Sequence, residues 1–302
     1  MTQNIAILVN PTAGSGRSAV TATRLIRSLR ERGAEATVIA GRSAEDSVRL
    51  AREAVRAAPD ALVAVGGDGL VHTALQGVVG TGVPLGVVPT GTGNDIAREF
   101  GLPRSVPAAV ETILDGRAVA VDTVRAGGRH YLSVLACGFD SRVNERVNGF
   151  RLSLGRASYL VGLLAELRTF TPIRYVLEVD GEPLVAEGMC VAVGNTASYG
   201  GGMRICPDAV YDDRLLDVVF VHAMSRPAFL RFFPRVFRGT HPELDEITVL
   251  RGRTVTIATE GAGGPPTVGY ADGERLTETP ITCEAIPGSV RVLTASAPPR
   301  TS

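Results

Sequence analysis

Between Ala61 and Phe100 the chain twice repeats one order of events: a short apolar run, a cluster of glycines, then an apolar-periodic segment. Ala61-Leu62-Val63-Ala64-Val65 leads into Gly66-Gly67-Asp68-Gly69 and then Leu70 to Val79. Pro84 to Val88 leads into Pro89-Thr90-Gly91-Thr92-Gly93-Asn94-Asp95 and then Ile96 to Phe100. Apolar runs of this length without alternation read as strands buried on both faces, and strands that alternate with helices build a parallel sheet. A strand that ends in glycines and opens a helix aims several backbone N–H groups at one spot, where the positive end of the helix favours an anion. Two such turns side by side suit the phosphates of a nucleoside triphosphate, with Asp68 placed to handle its magnesium.

The same alternation starts earlier. Ile5 to Val9 is a first strand, closed by Asn10-Pro11-Thr12-Ala13-Gly14-Ser15-Gly16-Arg17, and Ser18 to Arg32 carries apolar residues at helical spacing up to Gly33. Ala36 to Ala40 is a second strand; Ser43 to Ala57 is a second helix, entered through Ser43 with Glu45 and Asp46 in its first turn. Ser105 to Leu114 is a further short helix. Residues 1–122 thus read as an α/β domain with a parallel sheet and helices on both faces. After Asp122 strand-like runs dominate: Thr123 to Ala126, His130 to Ala136, Tyr175 to Val179, Met189 to Val193, Leu215 to Val221 and Thr254 to Thr259. Turn signals such as Ala126-Gly127-Gly128 and Asp180-Gly181-Glu182 separate them. Residues 123–294 therefore read as a mostly antiparallel, β-sandwich-like domain with helical insertions near Asp140 to Asn148 and Ala157 to Phe170, and 295–302 as a flexible tail.

Composition excludes several classes. Basic and acidic side chains balance at 31 each, so no charge excess points to nucleic acid. Cys137, Cys190, Cys206 and Cys283 show no paired spacing and read as reduced thiols; His72, His130, His222 and His241 show no metal spacing. No apolar run approaches the roughly 20 residues that span a bilayer, so the expected location is cytoplasmic. Ala228 to Arg238 interleaves phenylalanines with arginines, either a helix packed on the second domain or an element for a membrane surface. Arg151 to Arg168, with Leu160, Val161, Leu163 and Leu164, poses the same choice and reads as ordinary packing.

The three glycine turns all follow predicted strands, at the carboxyl ends where open α/β sheets bind ligands. None carries the lysine of a triphosphate loop or a complete G-x-G-x-x-G context. Asn10-Pro11-Thr12-Ala13-Gly14, Gly66-Gly67-Asp68-Gly69, Gly91-Thr92-Gly93-Asn94-Asp95 and Asp272-Gly273-Glu274 occur in this order, and together they resemble the diacylglycerol kinase catalytic family, which includes bacterial diacylglycerol kinases, sphingosine kinases and ceramide kinases. Pro207-Asp208-Ala209, followed by Asp212-Asp213 and Leu215-Leu216-Asp217, resembles a feature of its bacterial members. The likeness covers essentially the whole chain.

The resemblance implies ATP-dependent transfer of the γ-phosphate to a lipid hydroxyl, with diacylglycerol as the preferred acceptor, in a cleft between the two domains. It implies nucleotide contacts from Asn10, Pro11, Thr12, Ala13, Gly14, Gly66, Gly67, Asp68, Gly69, Leu70, Val71, His72, Gly91, Thr92 and Asn94, and a Mg2+ network at Asp68 supported by Asp95 and Asp122. Asp272 would accept the proton of the lipid hydroxyl, with Glu274 as helper or alternative base; a second, structural Mg2+ would sit on Asp213 and the carbonyls of Val210 and Leu215. It further implies transient, peripheral contact with the inner face of the cell membrane and leaves room for a homodimer. Leu70 and Thr73 stand where the family commonly has a hydroxyl residue and a helix glutamate, and Arg214 where its bacterial members prefer glycine. Three alternatives stay open: a kinase for a sphingoid base, ceramide or phosphatidylglycerol; an NAD kinase, favoured by the glycine-aspartate-glycine motif alone; and a nucleotide-binding module without catalysis.

Overall fold

The computed structural model describes residues 2–10, 16–148, 162, 165–260 and 267–295. The chain divides into two compact units, one of residues up to Thr123 joined by Tyr211–Asp213 and by the chain from Ile286 onward, the other of Val124–Val210 and Arg214–Ala285.

The first unit is built on parallel strands β1 (Asn4–Val9), β2 (Glu35–Ile39), β3 (Ala61–Gly66) and β4 (Leu85–Pro89), in the order β2-β1-β3-β4. Every residue of β3 and β4 is buried, as the uninterrupted apolar runs require of central parallel strands. Helices α1 (Arg17–Glu31) and α5 (Val106–Asp115) press Leu25, Leu29, Ala109, Val110 and Ile113 onto Ile5, Ile7, Val9, Val63 and Val65. Those strand residues alternate, so their neighbours point to the opposite face, where α2 (Ala44–Arg56) and α3 (Asp68–Val78) pack together. A Cβ placed on Gly77 would lie 2.9 Å from that of Ala51, so glycine sets the spacing of these two helices. Ser43 caps α2 by accepting the Asp46 amide.

The second unit is antiparallel throughout its described strand pairs. Its organiser is β9 (Glu182–Gly194): the first half pairs with β8 (Ile173–Val179), the second half with both β7 (Val134–Gly138) and β10 (Leu216–His222). The halves meet at Gly188, where a Cβ would come within 2.5 Å of the Phe220 ring. Strands β11 (Ile247–Gly252), β12 (Thr254–Glu260), β13 (Val268–Ala271) and β14 (Glu274–Glu278) complete the sheets around a core of Tyr131, Tyr175, Leu177, Val191, Val193 and Phe220. Helix α6 (Phe139–Asn148) and helix α7 (Arg226–Arg238) cover a second core through Phe139, Phe229, Phe232 and Val236.

Several sequence expectations change. The segment His130 to Ala136, expected as one strand, is two, β6 (Arg129–Tyr131) and β7, broken at Leu132–Ser133. The break has a cause: both amides donate to the Asp272 carboxylate instead of to a neighbouring strand. The expected boundary near Asp122 lies beside the division after Thr123, within β5 (Arg117–Ala126); what changes is the last strand, β15 (Ile281–Thr294), which starts in the second unit and ends in the first, where Val292 lies beside Leu85 of β4. Asp122 holds this return, its carboxylate accepting the Gly288 amide at 2.7 Å. Ala228 to Arg238 does form a helix on the core, but Leu230 and Phe237 remain 46% and 47% exposed. Leu160, Val161, Leu163 and Leu164, and the tail from 296, lie outside the described residues.

All four cysteines are free, and burial pushes the Cys137 and Cys283 thiols up to about 12, so they remain protonated and unreactive. His241 is wholly buried, donates through Nε2 to the Ile205 carbonyl at 2.9 Å, and is held below the ordinary imidazole value by its burial. The unfolded chain therefore binds a proton near pH ~6.5 that the folded chain refuses, and stability falls as the pH drops below that point. Between pH ~7.5 and ~5.5 the thermal midpoint of His241→Gln should decline less steeply than that of the parent, as followed by circular dichroism.

Candidate active site

In the first unit the strands that lead into the three glycine turns end side by side. Asn10 follows β1, Gly66 ends β3, and Thr90 follows β4; Val9 is in register with Val65 and Gly66 with Pro89, so all three turns leave the sheet at the same edge. The β3 and β4 turns touch through their backbones. A Cβ on Gly91 would lie 2.7 Å from the Gly67 Cα, and one on Gly67 would lie 3.3 Å from the Gly91 Cα. Thr90 N donates to Gly66 O at 2.9 Å, and Ser18 of α1 is hydrogen-bonded to the Thr90 hydroxyl at 2.8 Å.

The helix behind the first turn begins at Asp68, two residues earlier than the apolar pattern suggests, with Gly67 as its N-cap and no side chain capping it. The first amides of such a helix have no intrahelical acceptor, which makes its N-terminus an anion site. Leu70 and Val71 already donate their amides to Gly67 O, at 3.0 and 3.2 Å, and His72 is buried in the helix. Asn94, at φ 53°, closes its own turn by accepting the Gly91 amide and donating to the Gly91 carbonyl, at 3.0 and 2.7 Å. Thr92 is exposed on that turn. Pro11, Thr12, Ala13 and Gly14 lie outside the described residues.

Asp68 ties the two turns together, its Oδ1 accepting the Ile96 amide at the start of α4 (Asp95–Glu99) at 3.2 Å. A Cβ on Gly93 would lie 2.9 Å from Asp68 Oδ2 and 3.5 Å from Asp95 Oδ2, so two carboxylate oxygens face the bare side of one glycine. That donor set of hard oxygens suits a hydrated magnesium ion. Arg98 already pairs with Asp95 and with the Gly93 carbonyl. Asp122, expected to support the same network, accepts the Gly288 amide at 2.7 Å, and among the described residues no three His, Cys, Asp or Glu side chains gather as a metal-binding group.

In the second unit Asp272 and Gly273 form a two-residue hairpin turn between β13 and β14, with φ of 52° and 84°. Asp272 is 5% exposed. Its Oδ1 accepts from the Ser133 amide at 2.9 Å and the Ser133 hydroxyl at 2.6 Å, and its Oδ2 from the Leu132 amide at 3.2 Å. Glu274 is exposed at the start of β14.

The diacylglycerol kinase catalytic domain family matches residues 4–126, and the YegS C-terminal NAD kinase beta sandwich-like domain family matches residues 133–294. A protein of Mycobacterium tuberculosis (strain ATCC 25618 / H37Rv) named diacylglycerol kinase is 40% identical over 296 residues, 96% of this chain and 94% of that protein. The chain belongs to the diacylglycerol kinase and YegS-like lipid kinase family. A Bacillus subtilis (strain 168) diacylglycerol kinase is 26% identical, over 83% of this chain and 84% of its own. A crystal structure of a diacylglycerol kinase from Bacillus anthracis str. Sterne shares the fold, with a TM-score of 0.72 at 21% identity over 97% of this chain and 96% of that one.

Against this family the chain's departures find local explanations. Leu70 lies over Gly66, whose Cβ would come within 2.6 Å of the leucine Cδ2, so a packing contact stands where a hydroxyl is common. Thr73 is buried and bonds back to the Gly69 carbonyl at 2.9 Å, which ties the first turn of α3 to its second. Arg214, between Asp213 and Leu215 in sequence, adopts φ 68°, the left-handed conformation that glycine takes without strain. Sequence reasoning missed Ser18, Arg98, Ser133 and Asn195. Each acts through a partner distant in sequence or through a turn whose closure no local pattern announces, and only the Asx-type spacing of Asp95 to Arg98 on a helix offered a signal.

The backbone contact yields the first test at the site. Gly91→Ala must push the two turns apart, and overpacking of this kind costs about 1–3 kcal/mol. The thermal midpoint should fall by several degrees, while Thr92→Ala on the exposed tip of the same turn should leave it unchanged.

Proposed function

We propose that this chain is an ATP- and magnesium-dependent lipid kinase that phosphorylates the hydroxyl of diacylglycerol to phosphatidic acid. The observation that carries the proposal is the carboxylate of Asp272, buried and aimed by three donors in a chain whose first unit offers an uncapped helix N-terminus beside Asp68. The relative named diacylglycerol kinase at 40% identity supports that acceptor.

Phosphoryl transfer asks chiefly for positioning and charge neutralisation. The amides of Gly67 to Gly69 and the Gly91–Asn94 turn would cradle the phosphates. Magnesium, held by Asp68 with Asp95 beside it, would neutralise their oxygens when bound. Asp272 would take the hydroxyl proton as the acceptor oxygen bonds to the γ-phosphorus and the bond to the oxygen of ADP breaks, with Glu274 as the neighbouring carboxylate. Asp122 contributes to the same unit through its bond to Gly288. Asp213, with the carbonyls of Val210 and Leu215, is assigned the second, structural magnesium.

Helix α7 is the element assigned to the membrane. Its outer side carries Leu230 and Phe237 with exposed Arg226, Arg231 and Arg238, and its sequence has no acidic residue. Apolar side chains would enter the headgroup boundary while arginines meet anionic phosphates, about 1 kcal/mol for each. Among the described residues no helix is long and apolar enough to cross a membrane.

Incubation with labelled ATP, magnesium and mixed micelles of diacylglycerol, a sphingoid base, ceramide or phosphatidylglycerol, with free NAD as a further arm, should place the label in phosphatidic acid. Label in another product overturns the acceptor. Asp272→Ala should lose about 10²–10⁴-fold in turnover with ATP binding retained, and Asp68→Ala should lose turnover as well. Leu230→Ser with Phe237→Ser should release the protein from sedimenting anionic vesicles while turnover on a short-chain, dispersed acceptor is kept.

A further inference from the structure

The break in the strand between β6 and β7 has a second consequence. Ser133 makes two hydrogen bonds to Asp272, from its amide and its hydroxyl, both to Oδ1. The broken backbone is itself held from behind. Asn195, 1% exposed just beyond the end of β9, donates its side-chain amide to the Leu132 carbonyl at 3.1 Å, and its backbone amide to the Ser133 carbonyl at 2.8 Å. Resting on the assignment of Asp272 as proton acceptor, we propose that Ser133 is a positioning residue for that carboxylate, with Asn195 fixing the backbone that presents it.

A second hairpin of the same unit provides the comparison. Asp180-Gly181 is also an Asp-Gly turn, with φ of 50° and 90°, joining β8 to β9. Its carboxylate accepts the Arg253 and Thr254 amides, at 2.8 to 3.0 Å, in an exposed setting. Backbone amides therefore suffice to pin an aspartate of this turn type. At Asp272 a side-chain hydroxyl is added at 2.6 Å, the shortest bond of the set, where aspartate and serine are both buried. A hydroxyl bond to an ionised carboxylate in such surroundings is among the strong ones, and it adds a second donor from Ser133 to Oδ1, the oxygen its amide already holds. A base gains rate only when its oxygen is held in line with the proton it takes.

The test compares Ser133→Ala, Ser133→Thr and Asp272→Ala at 25 °C, with kcat, the KM for ATP and the thermal midpoint measured for each. Ser133→Ala should lower kcat by about ten- to a hundredfold, the size of one hydrogen bond to a charged group, with the KM for ATP unchanged. Ser133→Thr, which keeps the hydroxyl, should recover most of that loss. An unchanged kcat in folded Ser133→Ala overturns the proposal. So does a loss that Ser133→Thr fails to recover, or one shared equally with the KM for ATP, since either marks a merely structural serine. If Ser133→Ala does not fold, Ser133→Cys keeps the volume with a weaker donor and is held to the same criteria. An Asp272→Ala protein with full activity defeats the base assignment and this inference together; an inactive Asp272→Ala beside a normal Ser133→Ala defeats this inference alone.

Discussion

The contact between Gly67 and Gly91 sets the geometry of the first unit. Two turns at the ends of adjacent parallel strands approach so closely that a Cβ on Gly91 would lie 2.7 Å from the Gly67 Cα. Once they do, the remaining contacts follow at short range. Thr90 bonds to Gly66, Asp68 reaches across to the Ile96 amide, and Asn94 enters the left-handed region to close its own turn. Helix α3 and the short helix α4 are thereby joined at their starts through Asp68, and the oxygens of Asp68 and Asp95 face Gly93. The arrangement arises from backbone proximity, with side chains acting mainly as ties.

The second unit shows how one local motif acquires different work from what lies opposite it. Asp180-Gly181 and Asp272-Gly273 share a turn type and the strained left-handed aspartate. Across from Asp180 is an exposed strand start, and its carboxylate caps two amides there. Across from Asp272 is an interior stretch that would otherwise continue as strand. The carboxylate draws the Leu132 and Ser133 amides out of the ladder, and burial makes those bonds costly to lose. Breaking a strand to hold one carboxylate is an expense that structural pinning alone does not require, as the Asp180 turn demonstrates.

Much of this was legible in the residue order. Runs such as Ala61 to Val65 were strands because nothing in them alternates, Ser43 was a cap because Asp46 follows at the right distance, and the parallel-then-antiparallel division followed from the change in texture after Asp122. The four motifs carried the family. What the order could not reveal depended on distant partners. The start of α3 at Asp68 was hidden because glycine and aspartate carry no apolar periodicity. The gap at Leu132–Ser133 was hidden because its cause lies about 140 residues away. The long final strand β15 was hidden because it changes units midway, with Gly288 at φ 55° meeting Asp122. Residues in the site were therefore visible when they belonged to a turn, and invisible when they served a residue elsewhere.

The same distinction explains why the chain's departures from its family fall where they do. Leu70 and Thr73 sit on α3, whose contribution to an anion site is made by amides that no side chain can remove. Leu70 gives up a hydroxyl and instead closes over Gly66, stiffening the strand-to-helix turn; Thr73 returns its hydroxyl to the Gly69 carbonyl and steadies the same helical turn from within. Arg214 accepts a strained φ in place of glycine, which costs about 1 kcal/mol in a turn rather than a ligand. Each exchange leaves the backbone path intact. A backbone path that makes its contacts through amides and carbonyls tolerates such changes in side chains, whereas a Cβ at Gly91 or the loss of the carboxylate at Asp272 strikes the close approach of the two turns or the bonds that draw Leu132 and Ser133 out of the ladder.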